Sequence, residues 1–263
     1  GNISDNEETR KETLNMEFVH MLAMRSSHEL KNALVSIKTF TQLLPKKYKS
    51  ESFRRDFFNV VSKEVDHLNS IVEELLFFSQ PINLLKEQKD ILKTIRDTAR
   101  RLTHEFKSVS FSYTFDRGIS FEAFFDEKNI QKALWNIFEN SAEAMKGEGT
   151  IAVEIKRHKR FAGVRGEGLI ITISDTGCGI PEKSMHRIFE PFFTTKTKGL
   201  GLGLTIAKKI IQEHGWNLEI KNTEKGTESR ICIPLVAENL EGQKEEDKPD
   251  IRFKDKLLEY EQN

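Results

Sequence analysis

Cysteine is nearly absent. Cys178 and Cys232 are the only two in 263 residues, too few for a disulfide framework and in keeping with a reducing compartment. Surplus charge is absent as well: 41 basic residues balance 41 acidic ones, for a formal net charge of zero. A nucleic-acid binder ordinarily carries a basic excess, so no nucleic-acid partner is expected. No apolar run approaches the about 18 residues of a membrane-spanning helix and no secretory leader is visible, so no membrane contact is expected from this chain itself. Two phosphate-binding signatures are also missing. There is no G-x-x-x-x-G-K-[ST], and Gly199-x-Gly201-x-Gly203 has Leu204 where G-x-G-x-x-G needs its third glycine. Neither a P-loop nor a dinucleotide fold is supported.

Proline is sparse, and two of the six, Pro45 and Pro81, fall where long apolar periodicities stop. Residues 1–13 are polar and predict a frayed start. From Leu14, the residues Phe18, Met21, Leu22, Leu30, Leu34, Ile37 and Leu44 recur at spacings of three and four. This predicts one long helix with a heptad-like seam, ended by Pro45. A short basic turn over Lys46–Ser52 leads to a second helix, whose apolar face carries Phe53, Phe57, Val60, Val61, Val65, Leu68, Ile71, Leu75 and Phe78. Helices joined by a short loop pack antiparallel. Two alone bury too little surface, so residues 14–81 are expected to form a homodimeric four-helix bundle.

A linker over 82–90 follows, and then the period changes. Helices are predicted at Ile91–Phe106, at Asp126–Met145 with Asp126 as N-cap, and at Gly203–His214, ended by Gly215. Strands are predicted at Val109–Phe115, Phe121–Phe125, Thr150–Lys156, Leu169–Ser174, Asn217–Lys221 and Glu228–Ile233. The expected fold over 91–236 is an α+β sandwich, a mixed sheet with helices on one face. Residues 237–263 are charged and poor in core residues, and predict a disordered tail with a short helix at Lys254–Tyr260.

Certain residues carry chemistry. A lone helical histidine is ordinarily a solvated side chain, but His28 is followed by Glu29 and, four residues on, by Asn32. Residues four apart share a helix face, so an imidazole and a carboxamide are presented together. Leu30, Leu34 and Ile37 fall on a different stripe, so His28 is expected to face solvent. Asn136 and Asn140 are likewise four apart, and carboxamide oxygens are hard ligands suited to Mg²⁺. Asp175 ends a strand before Thr176-Gly177-Cys178-Gly179. The glycines at 199, 201 and 203 run into a helix N-terminus, where exposed amides favour phosphate. Each of these alone has an ordinary reading, as a capping Asn or a flexible loop.

Taken in order, the His28 segment, Asn136-xxx-Asn140, Asp175-Thr-Gly177-Cys-Gly179, the Phe-rich Phe189-Glu-Pro-Phe192-Phe193-Thr-Thr-Lys196, and Gly199-Leu-Gly201-Leu-Gly203 resemble the sensor histidine kinases of two-component systems. The resemblance covers roughly residues 10–236. The Asn-Ser-Ala-Glu-Ala-Met form around Asn140 is most similar to the nitrogen-regulator class. The resemblance implies a phosphoacceptor domain followed by an ATP-binding domain of the gyrase, Hsp90, histidine kinase and mismatch-repair type. It implies ATP and Mg²⁺ as cofactors, with Asn140 as the metal ligand and Asp175 accepting from the adenine amino group. Thr227, in the Gly226-Thr227 turn, would join that adenine network. The Phe-rich segment would hinge a nucleotide lid whose aromatics dock near the helical domain, and Lys196 and Lys198 would neutralise phosphate charge.

A neutral imidazole is nucleophilic near pH 7, so His28 is expected to attack the γ-phosphorus, with Glu29 bonding its other nitrogen to fix the tautomer and take the proton. The phosphoryl group would then pass to an aspartate on a separate response regulator, and Asn32 occupies the family's phosphatase position. A cytoplasmic location is expected, as a soluble protein or the cytoplasmic portion of a larger sensor. The chain departs from the family twice. Ala33 stands where members commonly have Pro, which predicts a straighter helix, and Glu143 stands where some place a Lys near the phosphates. An ATP-hydrolysing clamp of the same fold would need a Glu general base where Asn136 stands, and Glu139 falls on another face. A non-enzymatic scaffold sits poorly with an intact His28, Asn140 and Asp175.

Overall fold

The computed structural model describes residues 2–79, 82–116, 118–158, 167–196 and 199–235, with side chains from Phe18 onward. Lys198, Pro81 and the expected tail with its short helix lie outside the described residues. The chain divides into two compact units: the first runs to Asn83 and also takes in Arg187–Thr205, while the second comprises Leu84–His186 and the chain from Ile206 onward. Arg187–Thr205, which lies within the expected domain over 91–236, is grouped with the first unit. No helix among the described residues is long and apolar enough to cross a membrane.

The first unit is built on α1 (Asn2–Lys47) and α2 (Glu51–Ser79). The helix runs back to Asn2 rather than starting at Leu14, because residues 2–13 hold good helix formers but no apolar stripe to betray them. Pro45 does not end α1; it sits within the last turn, where a lost intrahelical bond matters least, and the helix closes at Lys47. Ser50 caps α2: its Oγ accepts from Phe53 N–H at 3.3 Å and its carbonyl from Arg54 N–H at 3.1 Å. Phe40 and Phe53 stack near this turn with ring centroids 6.0 Å apart, and Phe18 meets Phe78 at 5.3 Å near the other end. These pairs make the hairpin antiparallel.

The seam differs from the expected one. Ser26, Ala33, Phe53 and Ile71 are buried, whereas Leu34 is 56% exposed and Val65 42% exposed. Apolarity marked Leu34, but the small Ala33 is the residue turned into the hairpin.

The second unit holds a five-stranded sheet in the order β2-β4-β5-β7-β6, from β2 (Ser108–Phe115), β4 (Glu148–His158), β5 (Glu167–Ser174), β6 (Asn217–Asn222) and β7 (Thr227–Leu235). β2 and β4 run parallel and the other neighbours antiparallel, so the sheet is mixed, as expected. Register aligns Ile155, Ile171, Ile231 and Leu218 in one row across four strands, all buried. Strand side chains alternate between faces, so this row defines the covered side. Helices α3 (Ile91–Glu105), α4 (Glu127–Ala144) and α6 (Gly203–Glu213) supply the opposing apolar stripes, with Ile95, Phe138 and Ile210 all fully buried.

A separate ladder pairs β1 (Glu87–Asp90) with β3 (Glu122–Phe125), and a single-turn α5 spans Glu182–Met185. The expected linker over 82–90 is thus partly strand. Its residues Glu-Gln-Lys-Asp show no apolar alternation, and their place is set by register with Phe125 and its neighbours.

Asp90 and Asp126 cap α3 and α4 through 3.0 Å bonds from Lys93 and Asn129 N–H. Asp126 also accepts from Leu85 N–H at 2.9 Å, and its own N–H donates to His214 Nε2 at 3.0 Å. His214 Nδ1 in turn donates to the Ile210 carbonyl at 2.7 Å, which assigns the neutral tautomer. Burial, more than any neighbouring charge, holds the His214 imidazole below its ordinary pKa. Burial would raise Asp126, but the Asn129 and Leu85 amides outweigh it and hold the carboxyl below the ordinary range.

Candidate active site

In the first unit His28 is exposed on α1. Its Nδ1 lies 3.2 Å from Asn32 Nδ2, one turn on, so imidazole and carboxamide do share a face. Glu29 does not bond His28. The Glu29 carboxylate reaches across the hairpin to His67 Nε2 at 3.3 Å. Spacing along the chain offers no hint of this pair, whose members are 38 residues apart.

The Phe-rich segment belongs to the same unit. Phe192 is buried against Phe18, with centroids 5.4 Å apart, and Arg25 Nη1 donates to the Phe192 carbonyl at 2.7 Å. Phe192 takes a φ of 66°, unusual for a residue with a side chain. The Arg187 guanidinium lies 4.4 Å over the Phe193 ring. Gly201, at φ 71°, fits because any Cβ there would meet the Phe193 carbonyl oxygen at 2.6 Å. The Lys196 amide donates to Thr194 Oγ1 at 3.0 Å. Gly199 lies in the same loop, and Gly203 opens α6.

In the second unit Asp175 follows β5 and is only 5% exposed. Its Oδ1 accepts from Gly177 N–H at 2.9 Å and Thr227 N–H at 3.1 Å, and its backbone N–H donates to the Thr227 carbonyl at 3.0 Å. Two amides on one oxygen orient the carboxylate. Gly226 packs so closely that a Cβ would stand 2.3 Å from the Asp175 carbonyl oxygen and 2.7 Å from Oδ1. The Gly177 loop seats on the end of α4, where Cys178 N–H donates to the Ala144 carbonyl at 3.2 Å. That contact places the Gly177-Cys178 turn against Ala144, about one helical turn beyond Asn140 on α4.

Asn140 Nδ2 donates to the Asn136 carbonyl at 2.7 Å, and Asn136 Nδ2 to the Lys132 carbonyl at 3.0 Å. Gly179 and Ile180 are held by Asn222, whose Oδ1 accepts from Ile180 N–H at 2.8 Å and whose Nδ2 donates to the Ile180 carbonyl at 2.6 Å. Asn222 thus mimics a strand neighbour, a role its position at a strand end did not announce. Glu143 is exposed on α4.

Residues 21–84 match the model of the His Kinase A (phospho-acceptor) domain, and residues 125–237 match that of the histidine kinase-, DNA gyrase B- and HSP90-like ATPase. The chain belongs to the sensor histidine kinases. Sporulation kinase E of Bacillus subtilis is 31% identical over 231 residues, 87% of this chain and 30% of its own length. The nitrogen regulation protein NtrY of Azorhizobium caulinodans is 31% identical over 229 residues, 82% of this chain and 28% of its own length. The chain therefore spans about a third of these relatives. Among solved structures, histidine kinase ThkA in complex with the response regulator protein TrrA is 26% identical with a TM-score of 0.67, covering 89% of this chain and 67% of that one. The HSP90-like ATPase match establishes ATP binding as the property of the second unit's family.

Proposed function

We propose that this chain is an ATP-dependent protein histidine kinase that phosphorylates itself on His28 and passes the phosphoryl group to an aspartate of a separate response regulator. The observation that carries this reading is the exposed His28–Asn32 face within a phosphoacceptor domain that precedes an ATPase domain. In the first step an imidazole nitrogen bonds the γ-phosphorus as the bond to the β,γ-bridging oxygen breaks, and ADP leaves with the electron pair. The imidazole proton passes to the Glu29 carboxylate or to solvent. In the second step a regulator carboxylate oxygen bonds the phosphorus, and the nitrogen recovers its electron pair.

His28 must hold a lone pair toward the phosphorus, so the other ring nitrogen must carry the proton. Glu29 would meet this requirement by accepting that N–H when its carboxylate is not engaged by His67. The Asn32 carboxamide can hold a water against an aspartyl phosphate, which supports regulator dephosphorylation as a second activity.

Among the described residues no cluster of three or more His, Cys, Asp or Glu side chains is set to hold a metal. The hard carboxamide oxygens of Asn140 and Asn136 nevertheless fit a Mg²⁺ that keeps phosphate oxygens and waters as its remaining ligands. When bound there it would neutralise phosphate charge. Asp175 Oδ2 would accept from the adenine amino group, with Thr227, Gly177 and Gly179 shaping its wall. Lys196, Lys198 and the glycines at 199, 201 and 203 would close over the phosphates. A ThkA–TrrA complex among the neighbours supports a regulator as partner, and apolar side chains left exposed on the hairpin, Phe58 at 70% among them, support a homodimer. The test is incubation with γ-labelled ATP. The parent should gain acid-labile, base-stable label, and His28→Gln should gain none while still binding ATP. Label persisting on that variant would refute the assignment.

A further inference from the structure

The hairpin carries one cross-helix polar pair beside His28. His67 Nε2 and Glu29 Oε2 are 3.3 Å apart, with about a quarter or less of either side chain exposed. Buried residues bracket the pair on both helices: Ser26 and Ala33 on α1, Glu64 and Ile71 on α2. Ser26 and Ala33 are small, so the two backbones can come close at this level and the pair is confined. Glu29 is the residue expected to take the His28 proton, yet here its carboxylate is turned to the seam. His28 meanwhile faces Asn32. Arg25, the α1 residue four before Glu29, gives a guanidinium nitrogen to the Phe192 carbonyl. The acidic side chain beside the phosphoacceptor is therefore held by a histidine on the other helix.

We propose that His67 is a positioning residue for autophosphorylation: it competes with His28 for the Glu29 carboxylate and so sets the fraction of time in which Glu29 can serve the phosphoacceptor. This rests on the histidine kinase reading above. Only one carboxylate is shared, and a rate that depends on a competent state scales with that state's population. General-base assistance is worth about 10²–10⁴-fold when fully engaged, so even partial release of Glu29 must be visible. A rotation of α1 against α2 that parts the pair would raise the rate without touching the nucleotide site.

The experiment compares autophosphorylation kcat and the KM for ATP in the parent chain and in His67→Leu, His67→Gln, and His67→Leu combined with Glu29→Gln. Removing the competing imidazole should raise kcat about threefold or more with KM unchanged. His67→Gln keeps an N–H donor for the carboxylate and should gain less. Adding Glu29→Gln should erase the gain. Imidazole ¹⁵N spectra give an independent reading that needs no turnover: the His67 Nε2 resonance must move when Glu29 becomes Gln. A His67→Leu rate at or below the parent's in a chain that keeps its helicity overturns the inference, as does a gain that survives Glu29→Gln or a His67 resonance that does not move. A parent that takes label on His28 while His67→Leu shows no gain sinks this inference alone. A parent that takes no label there sinks the kinase reading and this inference with it.

Discussion

The two units bury their apolar residues in opposite ways. The second encloses a row of Ile155, Ile171, Ile231 and Leu218 under three helices, with Phe138 and Phe125 fully buried. The first has little interior of its own. Among the described residues Ala33, Phe53 and Ile71 are the hairpin's buried apolar residues, and Leu34, Val35, Phe58, Val72 and Leu76 stay exposed. One unit covers its sheet within a single chain, and the other leaves apolar side chains on an open face beside His28. The chemistry follows the same division. Asp175 is buried and fixed by two amides, which suits the recognition role proposed for it, while His28 is exposed, which suits the proposed nucleophile.

The comparison breaks most sharply with a cavity in the second unit. Phe138→Ala removes a fully buried ring on α4 that meets Phe111 edge-on, with centroids 5.0 Å apart, and should cost about 3–5 kcal/mol. The loss should appear in the sheet-bearing unit alone. Thermal unfolding followed by Trp135 and Trp216 fluorescence should shift, while label transfer from phosphorylated His28 to a regulator should survive. A lesion that melted both units together would show that they are not independent.

The reverse lesion leaves the second unit alone. Phe58→Glu changes an exposed apolar residue on α2, so it should not unfold a chain whose hairpin is already formed. It should weaken self-association: burying such a side chain is worth about 1.5–3 kcal/mol, felt once per subunit in a symmetric pair. Sedimentation should show the dimer dissociating at least about tenfold more readily, with ATP affinity unchanged. Parent and variant with the same sedimentation profile would leave the exposed face without a partner in this chain.

What was legible in the sequence divides along the same line. Asp126 as a cap, the helix it starts and the mixed sheet were readable, because local propensity and burial agree there. The Asp175-Thr-Gly177 turn was readable because a loop seated under 3 Å from its neighbours tolerates few residues. Leu34 and Val65, placed in the expected seam, lie on the exposed face of the hairpin. Periodicity reports which side chains are apolar, and a helix with apolar residues on two faces does not say which face meets which partner. β1 was invisible because its four residues have no pattern of their own and take their place from β3. The Glu29–His67 pair and the Asn222 clasp on Ile180 were invisible for a similar reason: each joins residues about 40 positions apart, and neither residue type forecasts the other.

Gly226→Ala sharpens the comparison within the nucleotide unit. The added methyl would stand 2.3 Å from the Asp175 carbonyl oxygen and 2.8 Å from the Gly177 nitrogen, which are backbone atoms that cannot swing aside. Overpacking of this kind costs about 1–3 kcal/mol, and here the shift falls on the carboxylate proposed to face the adenine. Calorimetric titration should show ATP affinity down by about tenfold or more, with helical content and dimerisation unchanged. Affinity equal to the parent's would place the adenine elsewhere.

The smallest effect is a pH dependence confined to the second unit. His214 is held neutral, with Nδ1–H on the Ile210 carbonyl and Nε2 accepting from Asp126 N–H. A proton on Nε2 would point one N–H at another. Burial depresses the folded-state pKa, whereas the unfolded chain takes up the proton near the ordinary value of about 6.5. Stability rises with pH wherever the unfolded state binds more protons, so His214 contributes fully above the unfolded value. That contribution is lost as pH falls through the depressed folded value, and below it there is no further change from this group. Asp126 adds a second loss at lower pH, because its carboxyl is also depressed and its contribution disappears as pH falls through its folded value. The measurement is denaturant unfolding of the sheet-bearing unit between pH 7.5 and 4.5, for the parent and for His214→Gln, whose carboxamide oxygen can still accept from Asp126 N–H without titrating. The parent's midpoint should fall on acidification while the variant's stays flatter over the imidazole range. Equal slopes would show that His214 is a packing residue whose proton plays no part in holding α4 and α6 together.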